Sequence, residues 1–131
     1  MVILVKAEVL AVGIGDMCRY FENLPVHLCS FETGREAASS LKNKNYDAVV
    51  CRWNLADMAD GKFLRGLKLA RPGILTAAVV DSENSEEEIR ARSCGVNAVF
   101  TENTSEYVFS ETIAELLKAG VSARYPLNSI R

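Results

Sequence analysis

The sequence predicts an α/β domain, a doubly wound five-stranded parallel sheet with five helices. Three observations predict it. Short apolar runs recur along the chain, and between them lie segments whose apolar residues recur at helical spacing. One of the runs, Tyr46 to Cys51, is almost purely apolar and rich in Val, as in a strand buried on both faces of a parallel sheet. The connections are short, with no internal repeat or low-complexity tract, so right-handed crossovers put helices on both sides of the sheet.

Val9 to Val12 is the first strand, ended by Gly13 and Gly15; Val2 to Val5 either extend it or form a separate edge segment. Asp16 is the expected N-cap of a first helix with Met17, Phe21 and Leu24 facing inward, stopped by Pro25. Val26 to Ser30 is the second strand. Thr33 and Glu36 form a capping-box pair for a second helix that buries Ala37, Ala38 and Leu41 and ends near Asn43. The third strand, Tyr46 to Cys51, stops abruptly at Arg52. Trp53, Asn54 and Leu55 follow, then a turn-forming cluster from Ala56 to Asp60, and Gly61 ahead of a third helix. Phe63, Leu64 and Leu67 mark that helix, and Pro72 and Gly73 close it. Ile74 to Val80 is the fourth strand.

Ser85 and Glu88 make a second capping box. The helix after them carries only Ile89, Ala91 and Cys94 among charges, so it should be rather exposed, and Gly95 ends it. Ala98 to Phe100 is the fifth strand. Phe109, Ile113, Leu116 and Leu117 form one face of a last helix, capped near Thr104 or Ser105. The expected domain is 1–120. The remainder, 121–131, is a tail or linker stub whose Val121, Tyr125, Leu127 and Ile130 either fray or dock on the domain or a partner.

At 131 residues the chain is one domain with room for a real core. Hydrophobic residues at 49% and charged residues at 24% are near the globular average, which argues against disorder. No apolar run approaches the roughly 18 residues of a spanning helix. The apolar start MVILVKAEVLAV lacks a basic leader and a cleavage site, so a cytoplasmic location without membrane attachment is expected. A net charge of −2 with no Lys/Arg cluster argues against direct nucleic-acid binding. Cys18, Cys29, Cys51 and Cys94 are widely spaced, with only His27 to help them. They suit small buried fillers in a reducing compartment better than a metal site or disulfide framework.

A central strand that ends at Arg52 delivers that side chain to the C-terminal edge of the sheet, where open α/β folds bind ligands. Around it the local signals line up: Gly34, Arg35, Glu36 and Ala37 opening the second helix, Tyr46 and Asp47 before the third strand, Trp53, Asn54, Leu55, Met58 and Gly61 after it, Gly95 before the fifth, and Arg19 in the first helix. In this order and spacing they resemble the receiver domains of bacterial two-component response regulators, with the chemotaxis-type flavodoxin-like fold, over nearly all of residues 7–118. The resemblance implies strand order 2-1-3-4-5. It also implies an acid pair for Mg²⁺ after the first strand, a phosphoacceptor Asp ending the third, a Thr or Ser after the fourth and a Lys after the fifth.

Each of those slots departs from the pattern. The acid pair falls on Gly13 and Ile14, the phosphoacceptor on Arg52, the Thr/Ser slot on Asp81 or, one residue on, Ser82, and the Lys slot on Glu102, followed by Asn103 where Pro is usual. The loop after the third strand is also one residue longer, with Ala56 for its usual Pro. Taking Ile3 to Val5 as the first strand would bring Glu8 toward the acid pair, but would run a helix through Gly13 and Gly15, each costing about 1 kcal/mol relative to Ala, and would leave Arg52 unchanged. The resemblance thus implies a non-phosphorylatable pseudo-receiver with no catalytic residue, metal or cofactor, working by protein contact in signal transduction or transcriptional regulation. Its protein partner is a signalling protein, an output domain or a second copy. Arg52 then either faces Glu102, with Asp81 nearby, in a charge-reversed ion pair, or turns to solvent.

The resemblance places a docking face on the fourth helix, fifth strand and fifth helix: Arg90, Arg92, Val99, Phe100, Thr101, Glu106, Tyr107 and Glu111. Val99 stands where many receivers have a switching aromatic. A competing reading is a small Rossmann-like nucleotide- or cofactor-binding module, because Gly13, Ile14 and Gly15 begin a G-x-G and Glu32 follows near the end of the second strand. Cys18 in the third Gly slot weakens it. Hydrolysis is disfavoured, since His27 lies inside a strand and Glu86, Glu87 and Glu88 suit a solvated first turn of a helix.

Overall fold

The computed structural model describes residues 6–124, with side-chain surroundings as far as residue 120. The apolar runs are parallel strands: β1 (Ala7–Val12), β2 (Val26–Phe31), β3 (Ala48–Arg52), β4 (Leu75–Val80) and β5 (Ala98–Thr101). They form one sheet in the order β2-β1-β3-β4-β5, the order that the sequence resemblance implies. The register sets Val9 against Ala48, Ala48 against Leu75 and Ala77 against Ala98, so the C-terminal ends of all strands share one edge.

Side-chain alternation divides the core. Leu10, Val12, Val49, Cys51, Ala78 and Val80 face one side, under α1 (Gly34–Asn43), α2 (Lys62–Ala70) and α3 (Ser85–Cys94). Val9, Ala11, Ala48, Val50, Ala77 and Val79 face the other, under a 3-10 helix (Gly15–Phe21) and α4 (Glu106–Arg124). There Phe109 anchors an aromatic group, its ring 5.2 Å from Phe21 and 4.5 Å from Phe100.

The first helix is a 3-10 helix. The crossover from Val12 to Val26 has only thirteen residues to run back along a six-residue strand. A 3-10 helix rises about 2.0 Å per residue against 1.5 Å for an α-helix, so it covers the return with fewer residues. It buries Met17 and Phe21, and Leu24 lies beyond its end. Its N-cap position is Ile14, not Asp16, and no side chain caps it.

The Thr33 cap forms as expected, the hydroxyl accepting from the Glu36 N–H at 3.2 Å. The second capping box shifts by one residue. Asn84 is the N-cap of α3, accepting from the Glu86 N–H, and its partner three residues on is Glu87. Ile89 on that helix is 63% exposed. Ser105 caps α4 by accepting from the Val108 N–H, while Thr104 accepts from the Thr101 N–H. α4 continues past Gly120 to Arg124. The expectations for Val2 to Val5, Tyr125, Leu127 and Ile130 lie outside the described residues, and so does the side chain of Val121. Among the described residues no helix is long and apolar enough to cross a membrane. Cys51 is buried as expected of a filler, whereas Cys18, Cys29 and Cys94 are only half-buried; all four are free thiols.

Candidate functional site

The loop that follows β3 is built on Trp53. Its ring is 2% exposed in the larger core and lies against Gly61, where a Cβ would come within 2.2 Å of it. Gly61 also has φ +70°, a conformation that strains any residue with a side chain. Backbone bonds close the loop, from Trp53 N–H to Val79 O at 2.9 Å and from Gly61 N–H to Trp53 O at 2.9 Å. Its tip reaches α1, where the Asp57 carboxylate accepts from the N–H groups of Gly34 at 2.9 Å and Arg35 at 3.0 Å. Those two bonds hold the Asp57 carboxyl below the usual carboxylate range.

Arg52 shares the face of Ala48 and Val50, so alternation turns it toward the 3-10 helix. Its Nε donates to the Gly13 carbonyl at 2.8 Å, and a terminal nitrogen pairs with Asp16 at 3.4 Å. The expected pair with Glu102 or Asp81 is not made, and neither does Arg52 simply turn out to solvent. The acid that the alternation offers it is Asp16, which sequence reading assigned to a cap. Ile14 is fully buried in the core of the 3-10 helix side, and Gly13 turns with φ +70° beneath Leu55.

Glu102 has its own partner. Its carboxylate accepts from the Ser82 N–H at 3.2 and 3.1 Å and from the Ser82 hydroxyl. Asn103 donates to the same hydroxyl at 3.2 Å. The Ser82 hydroxyl first, then the backbone N–H groups, hold the Glu102 carboxyl below its ordinary range; Arg52 adds least, as a charge at a distance. Of the two residues open for the Thr/Ser slot, Ser82 therefore faces the fifth strand. Asp81 turns to its own loop and accepts from the Glu83 N–H at 2.9 Å.

Between these groups lies a cleft of about 330 Å³ lined by Arg52, Asn54, Val79, Asp81, Glu87 and Glu102. Glu87 is 8% exposed, not a solvated dipole residue. It accepts from Asn54 at 2.8 Å, from Asn84 at 3.3 Å and from the Asp81 N–H at 3.1 Å. Asn54 in turn accepts from the Asp60 N–H at 2.6 Å. Glu87 thus ties the β3–α2 loop to the start of α3, and the shifted Asn84/Glu87 capping box was the sequence signal for it.

The cleft is therefore walled by carboxylates on the α3 and β5 side and a guanidinium on the other. Such a set can orient a cationic or hydrogen-bonding group, but it repels a phosphoryl group at Glu102. Among the described residues no group of three His, Cys, Asp or Glu side chains is placed to hold a metal. The Gly13, Ile14, Gly15 turn leads into seven residues of 3-10 helix with its Gly13 carbonyl taken by Arg52. It lacks the α-helix N-terminus that a pyrophosphate needs. Glu32 is exposed, with a carboxylate oxygen 3.1 Å from where a Gly15 Cβ would stand. His27 lies exposed on the edge strand, 3.0 Å from Glu8, which also pairs with Lys44 at 3.1 Å.

On the face expected to dock a partner, Arg90, Arg92, Glu106, Tyr107 and Glu111 are exposed. Val99 and Thr101 are half-buried, Val99 against the larger core. Phe100 does not belong to that surface. The alternation of β5 turns it to the opposite core, where it is 3% exposed and packed on Phe109.

No family model matches the chain, and no curated protein matches it in sequence. Solved structures do. The signal receiver domain of an HD domain-containing protein from Pseudomonas fluorescens Pf-5 superposes with a TM-score of 0.83 at 15% identity, over 97% of this chain and 98% of that one. A CheY-like response regulator receiver domain from Methanospirillum hungatei JF-1 gives 0.80 at 17% identity, over 91% and 99%. The receiver domain of a signal transduction histidine kinase from Syntrophus aciditrophicus gives 0.76 at 18%, over 86% and 91%. The fold is that of the response-regulator receiver domains.

Proposed function

We propose that this domain is a receiver-type signalling module that does not accept a phosphoryl group and acts by binding another protein. The observation that carries this reading is Arg52. The residue that ends β3, where the receiver pattern has its phosphoacceptor Asp, is a guanidinium bonded to the Gly13 carbonyl and to Asp16. It offers no carboxylate for an acyl phosphate. Gly13 and buried Ile14 offer no oxygen side chains to Mg²⁺, and Glu102 brings a negative charge where the pattern has Lys. The domain is accordingly not an enzyme and uses no metal or cofactor.

Its partner is a signalling protein, an output domain or a second copy in a homodimer. The α3, β5 and α4 face supports protein contact, because Ile89, Tyr107 and Val108 are 63, 73 and 51% exposed beside Arg90, Arg92, Glu106 and Glu111. Apolar groups among mixed charges suit a protein surface. Incubation with acetyl phosphate and Mg²⁺, followed by intact-mass measurement and a beryllofluoride titration, tests the reading. No added phosphoryl mass and no beryllofluoride response are expected; a stoichiometric acyl phosphate would overturn it.

A further inference from the structure

A groove of about 360 Å³ runs between α1 and α2, away from the cleft and from the α3–β5–α4 face. Its floor is apolar, made by Leu41, Met58, Phe63 and Leu67, and its rims carry Lys42 and Lys62. Arg71 closes one end by donating to the Leu41 carbonyl at 2.8 Å.

Two observations indicate what would fill it. The first is charge. The chain is net −2, yet residues 61–80 carry four bases and no acid. The acids that precede this stretch in the loop are engaged: Asp60 pairs with Arg65 and Arg90, and Asp57 with the α1 backbone. Among the described residues Lys42 and Lys62 make no salt bridge. The second is Gly66, in the middle of α2. A Cβ there would meet no atom within 4 Å, so the fold does not require glycine at a position where it weakens a helix. Gly66 lines the groove, so a longer side chain there would project into it. Leu69, three residues on along α2, is 86% exposed.

We infer that the α1–α2 groove binds an acidic amphipathic helix of a separate protein, its apolar stripe on the floor and its carboxylates against Lys42 and Lys62. A concave apolar floor between two helices fits a helix better than the flat surface of a bilayer. The inference stands independently of whether Arg52 blocks phosphorylation.

The test uses the full chain labelled with ¹⁵N and a helical peptide with Leu at i, i+3, i+4 and i+7 and Glu elsewhere. Saturable shifts of α1 and α2 amides are expected, with affinity falling as salt rises. Lys62→Glu and Gly66→Leu should each weaken binding on the order of tenfold, Gly66→Leu without lowering the melting temperature. Equal binding of the same peptide with Lys for Glu, or with Ser for Leu, would overturn the inference. So would shifts confined to the α3–β5–α4 face, absence of saturable binding, or shifts of the groove amides that follow protein concentration alone and mark a second copy. Salt-sensitive binding to phosphatidylserine vesicles in place of the peptide would assign the groove to membranes and overturn it too.

Discussion

The loop from Trp53 to Gly61 and the rim formed by Arg52, Asp16, Ser82 and Glu102 leave the same edge of the sheet, yet they are held by different physics. The loop is fixed by burial and backbone geometry: Trp53 in the core, Gly61 under its ring, Asn54 and Asp57 bonded to N–H groups. The rim is an arrangement of solvated charges, with Asp16 69% exposed and Glu102 on the surface. Packing has no tolerance for a changed shape, whereas charge pairs in water are weak and easily exchanged. A fold can therefore keep the scaffold of a site while every charged group on it is replaced.

The largest effects should fall on the scaffold. Trp53→Ala removes a ring from the larger core and should cost about 3–5 kcal/mol in urea unfolding. Gly61→Ala forces a Cβ into that ring at positive φ, so it should also destabilise by a few kcal/mol. Because the clash is with Trp53 itself, the double variant should cost less than the two singles added; strict additivity would mean that the backbone strain at Gly61 dominates. Next comes Glu87→Ala, which strips the acceptor from Asn54, Asn84 and the Asp81 N–H. About 1–3 kcal/mol is expected from the loss of three part-buried hydrogen bonds to a charged acceptor, since the donors Asn54, Asn84 and the Asp81 N–H can turn to water. A loss no larger than that of a surface substitution would move Glu87 from the scaffold to the rim.

This division also decides what the sequence could tell. Strand positions and the helices on both sides of the sheet follow from apolar runs and helical spacing, which leave marks in residue type; the strand order was legible only through the resemblance carried by the residues around Arg52. The 3-10 helix was missed because Met17, Phe21 and Leu24 satisfy the helical spacing, while the shortness of the crossover, which selects 3-10 geometry, is a distance. Arg52 was legible as the odd residue at the edge. Its partner was not, because Asp16, Asp81 and Glu102 all offer carboxylates and only the pleat of β3 chooses among them. Phe100 failed for a similar reason: a one-residue step along β5 moves a side chain from one face to the other.

On the rim, Arg52→Ala should change stability by less than about 1 kcal/mol, the range of exposed ion pairs, since the Arg52 side chain is 34% exposed and that of Asp16 more so. Urea midpoints in low and high salt check this. A larger loss that survives high salt would show that the bond to the Gly13 carbonyl, not the ion pair, is what matters, and would place Arg52 with the scaffold.

The smallest effect is a pH dependence. The Glu102 carboxyl sits below its ordinary range in the folded chain, chiefly through the Ser82 hydroxyl. The unfolded chain therefore binds this proton at higher pH than the folded one. The stabilisation is complete above the unfolded pKa and disappears as pH falls through the folded value. Ser82→Ala removes the hydroxyl and keeps the N–H, so the difference in urea midpoint from the parent chain should be greatest at neutral pH and should close on acidification. Asp57 and Glu8 are lowered in the same direction by groups that Ser82 does not touch, and they cancel in that difference. A difference that stays constant with pH would mean that the Ser82 hydroxyl acts through Asn103 and loop shape rather than through the charge on Glu102, and the two halves of the edge would then be less distinct than their geometry suggests.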